Sequence, residues 1–305
     1  MAIETTRLRL GDSVAHAHST LATLGWFAWR AGQIGFVSIA QGIAPPLAVT
    51  SVDSIVEPTG RDAVWVHSPA PLAPEVGQPS PGTRVARLTA FNGIIAFAEL
   101  LPDIPWEGNL VEGNEVSQIL SPSALEPNTT VRKLGARSGI TTGIITAPEM
   151  NVSVASGDDK TQAVPKVIEV SGSSEAFCQP GDGGALVFTP EPLAAVGIII
   201  AATEAQWGIP QRVVVLPLSN IMRQFGLTAT QEADAVFIAQ QTLRDLLTGD
   251  RWKFRSIHAL GRSIDDQSEG YTVTRQLLRS MGARPNLRLN SQELWTIPRR
   301  RRFEA

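Results

Sequence analysis

A loop of small residues between two apolar runs constrains the fold of this chain more than any other stretch. The loop, Gln179–Gly184, reads QPGDGG and leads into the apolar run Ala185–Val187. After a proline-containing turn the chain returns as Ala195–Ala201, which reads AVGIIIA. Short apolar runs bounded by glycine and proline are typical of buried strands. The stretch therefore predicts two neighbouring core strands preceded by a tight, glycine-rich loop.

The composition is that of a globular chain with many short strands. The 305 residues include 26 glycines and 21 prolines, and 43% of the residues are hydrophobic against 18% charged. Frequent turn residues between Val- and Ile-rich runs favour antiparallel β-structure. Because no apolar run reaches about 18 residues, we expect no membrane segment. The single cysteine, Cys178, excludes internal disulfides, and we therefore expect a reducing, cytoplasmic location.

Charge divides the chain into two parts. Through Glu232 there are 13 Lys and Arg against 21 Asp and Glu, a net charge of −8. Residues 233–305 carry 13 Lys and Arg against 8 Asp and Glu, a net charge of +5. We expect residues 229–234 to be a linker and residues 235–305 to form a separate domain with a basic tail. A basic domain is typical of proteins with an acidic partner, whether protein or nucleic acid.

Several segments resemble the trypsin-like (chymotrypsin-fold) serine peptidases, in particular a cytoplasmic bacterial group. The nucleophile loop of that family reads P-G-D-S-G with V-G-I further on, and residues 180–184 and 196–198 match it except at one position. Val131–Thr146 resembles the opening strands of the family's second barrel. The other similar segments, in chain order, are Leu10–His18, Ala22–Arg30, Ile34–Pro46, Ala90–Leu100 and Arg212–Leu227. The resemblance implies a mainly β fold, with two antiparallel six-stranded β-barrels in residues 1–228.

The same resemblance places the catalytic triad, and all three positions are substituted. The histidine falls on Gln41, the aspartate on Ile94 and the serine on Gly183. A glutamine amide has no titratable proton near neutral pH, isoleucine can only pack, and glycine has no nucleophile. Loss of a whole triad removes about 10⁶ in kcat. We therefore expect a pseudopeptidase with no catalytic residues, no cofactor and no metal site.

Two interpretations of the remaining loop are open. Gly181, Asp182, Gly183 and Gly184 correspond to the loop that forms the oxyanion hole in the family. Either the barrel needs this loop for its own stability, or the cleft that holds the substrate in the family still binds an extended peptide here by backbone pairing.

Other side chains in the sequence are weak candidates for chemistry. Cys178 is expected to be a buried structural thiol, since nothing near it in sequence lowers its pKa. His16 and His18 are expected to be a surface or hydrogen-bonded pair rather than metal ligands.

Residues 235–305 are predicted to form three helices and a β-hairpin, and they resemble small winged-helix domains. Arg275 and Arg279 lie four apart on the third predicted helix, and the hairpin is predicted from Arg284 to Ile297. In a winged helix these side chains approach a partner or a major groove. The basic candidates for such contacts are Arg275, Arg279, Arg284, Arg288, Arg299, Arg300, Arg301 and Arg302. Protein docking, nucleic-acid binding and simple solvation of the charges are all open.

The function expected from this sequence is that of a catalytically inactive trypsin-like protein. It would act as a binding, adaptor or regulatory subunit whose partner is a polypeptide or a larger assembly, and no membrane partner is expected. By analogy with trypsin-like domains that carry helical tails, a bacterial defence or signalling system is implied. The alternatives are a DNA-binding regulator that uses the C-terminal domain, and an active hydrolase with a non-standard nucleophile.

Overall fold

A computed structural model gives the fold of the chain. It describes residues 7–17, 19–44, 54–58, 64–69, 82–116, 118–155, 161–172, 176–203, 211–248, 255–268, 271–289 and 292–296. The chain divides into two compact units, residues 1–229 and 230–305. None of the helices within the described ranges is long and apolar enough to cross a lipid bilayer.

The first sheet of residues 1–229 is antiparallel, with strand order β2-β1-β5-β6-β7-β4-β3. Its strands are β1 (Ser13–His16), β2 (Ala22–Thr23), β3 (Trp26–Arg30), β4 (Gln33–Ile39), β5 (Trp65–Ser68), β6 (Thr83–Phe91) and β7 (Ile95–Leu100). Strand β2 pairs with β1 at one edge of the sheet, and β3 pairs with β4 at the other edge. Only Leu24 and Gly25 separate β2 from β3 in the chain. Because β2 and β3 are thus two halves of one stretch, the sheet closes on itself as a six-stranded barrel.

The second sheet has strand order β10-β15-β14-β11-β12-β13-β16, and a further pairing of β15 with β16 closes six of its strands into a barrel. Between the two sheets, β8 (Leu110–Val111) and β9 (Asn114–Glu115) form a short hairpin. The strands of the second sheet are β10 (Gln118–Ile119), β11 (Thr130–Gly135), β12 (Gly139–Ala155), β13 (Thr161–Gly172), β14 (Leu186–Pro190), β15 (Leu193–Ala202) and β16 (Arg212–Pro217). The predicted pair of six-stranded antiparallel barrels is therefore confirmed.

Apolar side chains fill the interiors of the strands. Trp26, Phe36, Phe91 and Phe97 are each 1% exposed or less and pack in one cluster. The interior of the second sheet is built mainly from valine and isoleucine, for example Val170 on β13. β-Branched side chains pack well on a pleated surface, which is why these Val- and Ile-rich runs form strands.

One predicted strand ends earlier than its sequence suggests. The apolar run from Ile34 to Pro46 is typical of β-structure up to its prolines, but β4 ends at Ile39 and one helical turn, α1 (Ala40–Ile43), follows. At this turn the Ala40 amide donates to the Ile94 carbonyl at 2.7 Å. Gly42 packs so closely on Ala22 that a Cβ there would collide with it. Close packing against β2 thus holds the turn that carries Gln41.

A short helix, α2 (Leu218–Phe225), follows β16 directly, as the sequence predicts. Its buried face consists of Leu218, Ile221, Met222 and Phe225. The helix ends at Gly226, which has φ +63°. Glycine is the residue best suited to this left-handed position.

Residues 230–305 contain three helices and a three-stranded antiparallel sheet of order β17-β19-β18. The elements are α3 (Gln231–Thr248), β17 (Arg255–Ser256), α4 (Ile257–Ser263), α5 (Thr272–Ser280), β18 (Arg284–Leu289) and β19 (Gln292–Thr296). Leu243, Leu260, Leu278 and Trp295 are fully buried in the core of this unit. The three helices and the hairpin are those that the sequence predicts, and β17 is an additional strand.

Helix α3 begins inside the segment that was predicted to be a linker. The Thr230 hydroxyl accepts a hydrogen bond from the Ala233 amide at 3.1 Å, as an N-cap side chain does. Asp234, in the first turn, is fully buried. The apolar periodicity starts only at Ala235, so it does not reveal this polar first turn.

Candidate functional site

A cleft of about 530 Å³ is lined by residues of both barrels. The first barrel contributes Thr20, Leu21, Ile39 and Gln41. The second barrel contributes the loop before β14 and the end of β15, with lining residues Cys178, Gln179, Pro180, Gly181, Gly183, Ile199, Ile200, Ala201, Ala202, Thr203 and Gln211. None of these described lining residues is an Asp, Glu, Lys, Arg or His. The cleft wall is therefore uncharged and largely apolar.

The three substituted positions lie close together. Gln41 and Gly183 both line the cleft, and the Gln41 side chain is exposed. Ile94 is 7% exposed, and its carbonyl accepts the hydrogen bond from Ala40, the residue that precedes Gln41. The Asn92 side chain fixes the turn before β7 by accepting hydrogen bonds from two amides, that of Ile94 at 2.9 Å among them. The segments that carry Gln41, Ile94 and Gly183 thus converge here.

A methyl group of Ile39 occupies the space in front of Gly183. A Cβ placed on Gly183 would lie 2.5 Å from Cδ1 of Ile39, which is well inside van der Waals contact. A serine at position 183 would therefore require Ile39 to move. The end of the Ile39 side chain thus lies where the Cβ of a serine at this position would stand.

The loop before β14 presents two backbone donors to the cleft. Gly181 has φ +106° and Gly184 has φ +91°, values that favour glycine. The amides of Asp182 and Gly184 donate to carbonyls of the protein, each at 2.9 Å. Within the part of the chain that the structure describes, the amides of Gly181 and Gly183 have no acceptor. Since both residues line the cleft, these N–H groups can donate to an oxygen atom of a ligand.

Asp182 holds this loop in place through a network of hydrogen bonds. Its Oδ1 accepts from the amides of Arg137 at 2.8 Å and Ser138 at 3.1 Å. Its Oδ2 accepts from the Ser138 hydroxyl at 2.5 Å and the Gln179 amide at 2.9 Å. The same oxygen lies 3.1 Å from Nζ of Lys133, and both charged side chains are fully buried.

The charges of this pair are set by their surroundings. Burial by itself raises the pKa of Asp182, but the Ser138 hydroxyl, the Gln179 amide and the Lys133 charge outweigh it, and the pKa lies below its usual value. Burial lowers the pKa of Lys133, and Asp182 opposes that change. A carboxylate with several N–H donors stays ionised. Asp182 and Lys133 therefore form a buried, hydrogen-bonded ion pair beneath the loop.

Ser138 is the first alternative nucleophile to consider, because its Oγ lies 2.5 Å from Nζ of Lys133. Serine and lysine form nucleophile–base pairs in some hydrolases. Here the Ser138 hydroxyl donates to Asp182, and Lys133 is the charged partner of the same carboxylate. Because its hydroxyl already donates to Asp182 and accepts from Lys133, we interpret Ser138 as a structural bridge.

Cys178 is the second alternative nucleophile. It lines the cleft but is only 6% exposed. Burial, reinforced by the Asp182 charge, raises the pKa of the Cys178 thiol to about 11, so very little thiolate exists near neutral pH. The carboxamide of Gln211 binds both its amide and its carbonyl, at 2.9 and 2.8 Å. The buried structural thiol expected from the sequence is what the structure has.

The remaining candidates are not among the described residues that line the cleft. His16 is on β1, His18 lies outside the described residues, and no three His, Cys, Asp or Glu side chains within the described ranges are grouped as metal ligands. Arg275 is half-buried and Arg279 is exposed on α5, and Arg284 is exposed at the start of β18. Five further candidates are less completely described: Arg288 lies on β18 without a described side chain, and residues 299–302 are outside the described residues.

Lys133 is the residue that the sequence analysis missed. On β11 the buried positions alternate, and Lys133 stands between Val131 and Gly135 on the buried face. A lysine on the buried face of a strand requires a buried anion. That signal was available in the sequence and points to Asp182 or another acidic residue close to the core.

Comparison with solved structures identifies the fold. A glutamic acid specific serine protease aligns with a TM-score of 0.50 and 16% identity over 73% of this chain and 100% of that chain. Alpha-lytic protease homolog N4 aligns with a TM-score of 0.50 and 16% identity over 74% of this chain and 100% of that chain. A protease from Nocardiopsis aligns with a TM-score of 0.49 and 16% identity over 73% of this chain and 98% of that chain. The chain has the fold of the chymotrypsin-like serine proteases. No protein-family profile and no curated protein matches it.

Proposed function

We propose that this protein is a catalytically inactive relative of the chymotrypsin-like proteases and that its cleft binds an extended polypeptide without cutting it. The observation that carries the proposal is the contrast at Gly183. Its amide is available to a ligand, whereas the place of a nucleophile is filled by the Ile39 methyl group. Gln41, in the place of a general base, has no proton to exchange near neutral pH. Recognition is then the work that the cleft can perform, as a binding or regulatory subunit.

The binding mode follows from the elements that line the cleft. The end of β15, Ile199–Ala202, forms one wall, and an extended peptide can pair with such a strand through its backbone. A peptide carbonyl oxygen would accept hydrogen bonds from the Gly181 and Gly183 amides. Because no charged side chain lines the described cleft, the peptide side chain that enters it is apolar or an uncharged amide.

Selection from a random peptide library displayed on phage tests this proposal. Ala202 is exposed and lines the cleft, so Ala202→Trp fills the cleft with little effect on folding. Ala163 on β13 is equally exposed and does not line it, so Ala163→Trp is the matched control. We expect peptides with an apolar residue to be enriched on the wild type and on the control, and to be lost on Ala202→Trp. No enrichment, or equal binding to both variants, would contradict the proposal.

The inactive state has its own test. The enriched peptides should be recovered intact by mass spectrometry after long incubation with the protein. A fluorophosphonate probe, which labels activated serines, should leave the wild type unlabelled. Labelling of any serine would instead support a hydrolase with a non-standard nucleophile.

A second function, nucleic-acid binding by residues 230–305, is supported by the order of the elements. The order α3-β17-α4-α5-β18-β19 and the sheet order β17-β19-β18 are those of a winged-helix domain, and α5 would be its recognition helix. A mobility-shift titration of duplex DNA at about 50 and 200 mM salt tests it, since phosphate contacts make affinity strongly salt-dependent. The double variant Arg275→Gln with Arg279→Gln should weaken any binding. No shift at low salt would leave protein docking or simple solvation of the charges as the explanation of this basic unit.

A further inference from the structure

A second cavity, of about 350 Å³, lies in residues 1–229 and shares no lining residue with the cleft. Strand β13, the end of β16, helix α2 and the turn that carries Asn92 form its walls. Its lining residues are Asn92, Val164, Pro165, Lys166, Leu216, Asn220, Arg223 and Gln224. The cavity is at the lower end of the size range of small-molecule sites.

The charge of this cavity is opposite to that of the surrounding unit. Lys166 and Arg223 line it, and no Asp or Glu is among its described lining residues. In the described part of the chain neither cation has a carboxylate within ion-pair distance. The sequence through Glu232 nevertheless has a net charge of −8. Two unneutralised cations in one cavity of an acidic unit favour an anionic ligand.

The backbone and the neighbouring amides orient both cations. Lys166 has φ +56°, which is uncommon for a residue other than glycine, and its amide donates to Oδ1 of Asn151 at 3.2 Å. The pairing of β12 with β13 shifts register between Met150 and Val152, close to this point. Register shifts of this kind change the direction of side chains along a strand. On α2, Nη2 of Arg223 donates to Oδ1 of Asn220 at 3.0 Å, which orients the guanidinium group.

A carboxamide beside the cavity lacks hydrogen-bonding partners. Both polar side-chain atoms of Gln162 are buried and have no partner in the described structure. Gln162 lies on the same strand face as Val164, two residues along β13. It also packs on Gly93, next to Asn92, so closely that a Cβ at position 93 would collide with the carboxamide. Buried polar groups are nearly always satisfied, so an unsatisfied carboxamide here is unusual, and Gln162 lies next to the cavity without lining it.

We propose that this cavity binds a small organic anion, namely a molecule that bears a phosphate or carboxylate group on a short carbon skeleton. Lys166 and Arg223 bind the oxyanion, because both offer charge-assisted hydrogen bonds to it. Val164, Pro165 and Leu216 contact the carbon skeleton. This site is separate from the peptide cleft, and the proposal stands without the function assigned to that cleft.

Ligand-observed NMR titration of the full chain tests the proposal with three probes. Phenyl phosphate and glutarate represent the two sources of the anion, and benzyl alcohol is the uncharged control. We expect at least one anion to bind with a millimolar Kd or better and benzyl alcohol not to bind. The double variant Lys166→Gln with Arg223→Gln should raise the Kd about 100-fold, since each lost charge-assisted contact costs about tenfold. Which anion binds more tightly identifies the source.

Matched variants separate a built site from general charge attraction. Arg244 and Arg262 are exposed and lie outside the cavity lining, so Arg244→Gln with Arg262→Gln removes the same charge. This control and Ala202→Trp should both keep the wild-type Kd. The proposal would be overturned if neither anion binds, or if the two double variants lose the same amount of affinity. Both outcomes are independent of whether the cleft binds peptide.

Discussion

The nucleophile loop and the triad positions lie side by side but differ in chemistry. Beneath the loop, Asp182 accepts four hydrogen bonds and pairs with the buried Lys133. At the triad positions, Gln41, Ile94 and Gly183 provide neither a base nor a nucleophile. The loop thus has a dense hydrogen-bond network, whereas these three positions carry neutral side chains or none.

This difference separates the two interpretations that the sequence left open. A loop needed only for barrel stability has no reason to leave two amide donors without acceptors at the surface of a cleft, as Gly181 and Gly183 do in the described structure. A buried ion pair is also a costly way to gain stability, since apolar residues of similar size do as well or better. Both observations favour the proposal that the shape of the loop serves binding.

Substitution of Lys133 has the largest expected effect. Lys133→Met leaves Asp182 buried without its cation, and removal of one partner of such a pair costs about 3 to 5 kcal/mol in free energy of unfolding. Arg132→Met is the matched control, because the neighbouring pair Arg132–Glu112 is exposed and worth at most about 1 kcal/mol. Urea unfolding measures both variants. Similar losses for the two would mean that the ion pair does not hold the loop.

The next largest difference in free energy of unfolding is expected between substitutions of two adjacent glycines of the loop. Gly184→Ala should cost about 3 kcal/mol, because φ is +91° and the new Cβ would collide with the Thr23 carbonyl and the Ser38 hydroxyl. Gly183→Ala should cost less than about 1 kcal/mol, since its Cβ meets only the mobile end of the Ile39 side chain. Thermal and urea unfolding rank the pair. The reverse order would show that position 183, not position 184, is the one fixed by the barrel.

Acid should lower the free energy of unfolding, because it protonates Asp182. Its pKa in the folded protein lies below the usual value of 3.8, so its ionisation stabilises the fold above about pH 4, and this contribution is lost as the pH falls further. The difference in unfolding free energy between the wild type and Asp182→Asn should therefore be constant from pH 7 to about pH 5 and shrink below about pH 4. Denaturant titrations across this range measure it. A difference that does not change with pH would contradict an ionised Asp182.

The sequence predicts the barrels well because their signals are local. Val- and Ile-rich runs such as Arg212–Pro217 and turn residues between them are sufficient to predict short antiparallel strands. The Lys133–Asp182 pair joins residues 49 positions apart, and only the alternation of buried residues on β11 indicates its cation. The position of Ile39 in front of Gly183 depends on where β4 ends and α1 begins. No local sequence pattern specifies that point.

The smallest expected effect comes from rebuilding the triad, and it tests the role of Ile39. The triple variant Gln41→His, Ile94→Asp and Gly183→Ser places the three residue types at their family positions, but the new Cβ would stand 2.5 Å from Cδ1 of Ile39, so the Ile39 side chain has to rotate before the serine can adopt an active position. We expect a fluorophosphonate probe to leave this variant unlabelled. Addition of Ile39→Ala should allow slow labelling of the serine at position 183, since a nucleophile needs free approach as well as a base. Equal labelling with and without Ile39→Ala would show that Ile39 is no barrier, and that the missing side chains alone separate this cleft from an active one.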